Sequence, residues 1–222
     1  MGLFSGKFEK EGAGLPMPEG GPARYFSLFF SNIWKLMGAN VLFVLFSLPL
    51  VTLPAALCAL NRVCILIYKN GSCYLWQDFV GEFRASFLRS LLPALLFLAL
   101  LFAGYYFMSL GLTNAALPLW STIFWAIGIF FVLAGLGWGG YFFVLVAMLE
   151  QENRNVLKNA RLLCMISPGK ALMAALTVIG GAALTAAFMP LSIFLVLLII
   201  PAIVQYTVSY LVYELAEDYI LT

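Results

Sequence analysis

Groups able to do chemistry are few in this sequence, and their spacing assembles no catalytic set. Histidine is absent, which removes the commonest general base and metal ligand. The four cysteines, Cys58, Cys64, Cys73 and Cys164, form no CxxC pair and lie in apolar stretches or beside basic loops, so packing is expected of them rather than a disulfide frame or a zinc site. Ionisable groups within apolar runs are costly and usually functional, but the two candidates, Arg62 and Glu214, sit close to basic segments, where a long arginine snorkels. The uncharged polar residues Asn40, Asn61 and Gln205 either line a solute path or bond neighbouring helices, the latter being the commoner use. Gly135, Gly137, Gly139 and Gly140 surround Trp138. Gly135 with Gly139 has the spacing of close helix packing, within the chain or across a dimer, and a phosphate loop is not expected without the Walker lysine and hydroxyl. No catalytic residue, cofactor or metal site is assigned, and the expectation is a non-enzymatic protein.

The elements that hold these residues belong to a membrane. Apolar residues make up 64% of the 222 and charged residues 10%, against about 25% charged in soluble domains. Nothing basic is arranged for nucleic acid. Residues 1–22, with six glycines and three prolines, read as a flexible tail, and residues 23–222 as one helical membrane domain. The opening MGLFSG misses the myristoylation pattern at Gly6, and no cleavable signal peptide is expected.

Ala23–Leu36 has the spacing of an interfacial amphipathic helix. Leu36–Tyr68 is a run of 33 mostly apolar residues with Pro49 and Pro54 near its middle, too long for one crossing of about 20 residues and short for two. Tyr74–Ser90 carries Leu75, Phe79, Phe83 and Phe87 every fourth residue, which predicts a second interfacial helix with its phenylalanines in the headgroups. Its Asp78, Glu82, Arg84 and Arg89 form a candidate partner surface. Leu91–Leu110 reads as a span with Pro93 tolerated in its first turn, and Leu119–Leu149 as another. Glu150–Lys170 reads as a third amphipathic segment with Val156, Ala160 and Leu163 on one face. Ala171–Met189 and Leu191–Tyr213 read as two further runs turning at Pro190.

All twelve Lys and Arg fall in three segments, while the connections at 111–118 and Pro190 carry none. The positive-inside rule places the three basic segments and both termini in the cytoplasm, provided that Leu36–Tyr68 leaves and returns. A hairpin turning through Pro49, Thr52 and Pro54 does this with legs of about 14–16 residues, or roughly 21–24 Å; the alternative is one long kinked helix. The expected fold is therefore all-α, a polytopic transmembrane bundle with five or six membrane segments and interfacial helices on the cytoplasmic side.

Two stretches carry a resemblance. SLPLVTLPAALCAL at Ser47–Leu60, with Leu48, Pro49, Val51, Thr52, Ala55 and Leu60, and WQDFVGEFRASFLRS at Trp76–Ser90, with Asp78, Phe79, Phe83 and Phe87, resemble the YesL family of bacterial integral membrane proteins, itself of unknown function. Pro54 and Ser86 stand where that family has glycine and asparagine. The resemblance implies a bacterial plasma-membrane protein and an accessory or scaffold role beside an ATP-driven carbohydrate importer or its two-component sensor, with importer permeases or a sensor kinase as partners besides the lipid bilayer; the glycine spacing, separately, offers a second copy as a homo-oligomer. The alternative function is a small autonomous solute carrier or channel.

Overall fold

In the computed structural model the described residues are 21–115, 117–149, 151–189, 195–196 and 198–221. They contain eight α-helices and no strand: α1 (Gly21–Ser31), α2 (Ile33–Phe46), α3 (Leu53–Asn70), α4 (Leu75–Thr113), α5 (Pro118–Met148), α6 (Asn153–Ile166), α7 (Pro168–Ala187) and α8 (Ile200–Ala216). The expected tail up to residue 20 and the Pro190 turn lie outside the described residues, while Gly21 and Pro22 already belong to α1.

Prolines and one glycine punctuate these helices. Pro54, Pro118, Pro168 and Pro201 each fall in a first turn, where the missing N–H costs nothing because that donor has no partner within the helix. Gly71 ends α3 with φ +74°, a left-handed cap that a side chain would strain.

The hairpin is the geometry found. Asn32, just before α2, donates from Nδ2 to the carbonyl of Gly71, just after α3, at 3.1 Å, so the two helices run antiparallel. At the turn the Thr52 hydroxyl donates to the carbonyls of Phe46 and Pro49, closing the end of α2.

Two expectations are corrected. Ala23–Leu36 is not one helix: the chain breaks at Asn32, and α1 and α2 meet at 73°. Residues 74–90 are not a separate interfacial helix either, because α4 runs unbroken for 39 residues, about 58 Å. Pro93 lies inside it and cannot bond the carbonyl of Arg89 four residues back. Asn153 replaces that bond, donating Nδ2 to Arg89 O at 2.7 Å.

Helix α3 is central and packs on α1, α2, α4, α5 and α8; its Leu60, Val63 and Ile67 are fully buried. Helices α4 and α5 cross closely where a Cβ on Gly104 would meet Gly128 O at 3.0 Å. Helices α7 and α8 run antiparallel, from Lys170 paired with Glu214 at 3.3 Å to Gly181 against Val204. Among the described residues, four stretches are long and apolar enough to cross a membrane, or five if the bent α1–α2 pair is one span. Outward leucines and aromatics on α4, α5 and α7, such as Leu92, Phe102, Phe130 and Leu176, form the wide apolar surface that a hydrocarbon solvent requires. These are the helices of a multi-pass membrane protein.

Candidate functional site

The basic residues gather where α3 and α5 end and α4, α6 and α7 begin, and three of them, Arg24, Arg62 and Arg89, serve helix termini. A helix C-terminus presents carbonyls without partners and a partial negative charge, so cations are favourable there. Arg24 donates from Nη2 to Tyr68 O at 2.9 Å and stacks over the Tyr68 ring at 5.1 Å. Arg62 donates to Ala147 O at 2.9 Å. Arg89 reaches Leu149 O at 3.4 Å and the carbonyl of Gln151. Arg62 thus reaches a helix end rather than only snorkelling to water.

The four candidate partner residues divide accordingly. Asp78 accepts from the Tyr74 N–H at 2.7 Å and caps the start of α4. Arg89 holds the end of α5. Glu82 is half-buried, and Arg84 is exposed. The phenylalanine row also departs from its expected place. Phe79 is fully buried, with its ring 5.6 Å from that of Phe46, and Phe83 lies 4.8 Å from the same ring. These rings pack on the α2–α3 hairpin instead of lying in headgroups, because an aromatic pair in a protein interior gains both area and edge-to-face contact.

The opposite face of this segment is open. Gln77, Gly81, Arg84, Ala85 and Leu88 are exposed on neighbouring turns, Leu88 at 79%, and a Cβ on Gly81 would meet nothing within 4 Å. Since Arg89 marks the end of α5, residues 75–88 extend past α5 with the hairpin behind them and nothing described in front.

The other sequence candidates are placed inside the fold. Gly135 and Gly139 face α4, against Leu101 and Phe97, so their contact is within the chain. The tighter crossing at Gly104 and Gly128 is one that a search for two glycines four apart in one helix misses. Asn40 bonds both Val196 O, at 2.7 Å, and Ala202 N, at 2.9 Å. Asn61 accepts from the Ser209 hydroxyl at 3.3 Å, while its Nδ2 is buried without a partner.

Among the described residues no group of three or more His, Cys, Asp or Glu is placed to hold a metal. Burial raises the Cys73 thiol, with Lys35 opposing and Asp78 adding, and pushes Cys164 up to about 12. Because the thiolate is the nucleophile, alkylation of both is expected to be slow at pH 7.5 and to quicken as pH rises above 9, Cys73 leading. Timed maleimide labelling with peptide mapping measures this, and fast labelling of either at pH 7.5 contradicts it.

No curated protein and no solved structure matches the chain. The stretch that holds the hairpin, the phenylalanine row and most of α4, residues 36–107, matches the family model described as protein of unknown function, DUF624.

Proposed function

We propose that this chain is a non-enzymatic accessory protein of the YesL type in a bacterial plasma membrane, with its basic end cytoplasmic, and that it docks a second membrane protein along α4. The observation that carries this reading is the open face Gln77, Gly81, Arg84, Ala85 and Leu88, backed by the buried Phe79. A rigid helix with small residues at Gly81 and Ala85 admits close approach of another helix, and Arg84 and Leu88 supply a charge and an apolar anchor beside them. The partners implied by the YesL resemblance, importer permeases or a sensor kinase, offer such helices.

The test is a photoreactive benzoylphenylalanine placed at Gln77 or Arg84, with Phe102 on the lipid-facing part of α4 as control. Crosslinking in native membranes is expected to join a permease or kinase to positions 77 and 84 and not to 102. Adducts only with a second copy, or none, reject the accessory reading. Solute flux in proteoliposomes containing only this chain would support the carrier instead. Cysteine sidedness tests the orientation: a membrane-impermeant maleimide at pH 9 should reach Cys73 in inside-out vesicles and not in intact cells.

A further inference from the structure

A cavity of about 230 Å³ lies among α3, α4, α5, α7 and α8, bordered by Leu57, Ala94, Phe97, Gly139, Phe143 and Gln205 among others. It exceeds the roughly 150 Å³ at which an apolar cavity takes up benzene. Stretches containing α3, α4, α5 and α7 have the length and hydropathy of spans, so access is sideways from hydrocarbon. Gln205 is the one polar side chain among the described lining residues, and its amide makes no hydrogen bond with any described residue. Gln205 is half-buried, and an amide without a partner is costly in an apolar medium, so the occupant that suits this site brings a hydrogen-bonding group.

Depth narrows the choice. Glu214, paired with Lys170, marks the basic end of α8, and Gln205 lies nine residues before it, about 14 Å along the axis. In a hydrocarbon core of about 30 Å that is near the middle. Phospholipid esters stay at the headgroup boundary, and an acyl chain offers the amide nothing. An isoprenoid quinone carries ring carbonyls within the hydrocarbon and is apolar elsewhere. We propose that this cavity binds the ring of an isoprenoid quinone, one carbonyl accepting from Gln205 Nε2 and the ring edge packing on Phe97 and Phe143.

The experiment titrates menaquinone-4 into quinone-free nanodiscs of phosphatidylethanolamine and phosphatidylglycerol that hold the full chain, following tryptophan quenching. Trp138 reports on the site, its ring 5.5 Å from that of Phe97. Wild type is expected to quench saturably, Gln205→Leu to bind about tenfold more weakly, and Ala94→Phe, which fills the cavity, to lose the saturable phase. Ala99→Phe, on the exposed side of α4, should match wild type. Quenching that is linear in wild type, equal midpoints in wild type and Gln205→Leu, or native mass spectra showing only phospholipid after loading each overturns the proposal. Gln205→Leu nearly preserves volume, so it keeps the test decisive if Ala94→Phe does not fold.

Discussion

Gly128→Leu is expected to drive α4 and α5 apart and to cost about 3 kcal/mol, beyond which little of a marginal stability remains. A Cβ at this position would lie 2.9 Å from Gly104 O and 3.0 Å from Met108 N, and backbone atoms cannot rotate away as a side chain can. The loss should appear as a fall of about 6–12 °C in the temperature at which the detergent-purified protein stops eluting as a single species. Gly180→Leu is the control, since nothing lies within 4 Å of a Cβ there. Equal shifts for the two variants would show that added bulk, rather than the Gly104–Gly128 crossing, is responsible.

The second large effect is expected at Asn40. This fully buried side chain accepts from the Ala202 N–H and donates to Val196 O, on either side of the irregular backbone at Ile199 (φ −155°, ψ −25°). Asn40→Leu keeps the branched shape of the side chain and leaves two backbone groups without that partner in apolar surroundings. At about 1–3 kcal/mol for each orphaned group, the total is about 2–6 kcal/mol. Hydrogen exchange at Ala202 reads the effect locally: its amide should lose protection in the variant, while amides in the α4–α5 hairpin keep theirs. Unchanged protection at Ala202 would refute the bridging role.

The first hairpin was legible because Pro49 and Pro54 interrupt an apolar run too long for one crossing, and the face of α6 because Val156, Ala160 and Leu163 follow the helical period; all three are buried. The length of α4 was not legible. Its charged first half and apolar second half differ in composition, which implies two environments, but a helix ends on backbone geometry and not on polarity. Pro93 hid the continuity further, since the Asn153 bond that carries the helix past it comes from 64 residues away. The phenylalanine row was correct as a period and wrong as a destination, because every fourth residue defines a face without saying whether lipid or protein covers it. Gln205 resembled Asn40 and Asn61 in sequence, and only the packing separates the bonded pair from the unbonded one.

The Asn40 bridge also bears on how the chain comes together during synthesis. Its partner amide lies 162 residues later, and Tyr25 meets Thr207 across 182. At about 5–20 residues per second, translation leaves Asn40 waiting roughly 8–30 s for Ala202. For that interval the first hairpin exposes an amide that the folded chain buries, and the arrival of α8 is what covers it.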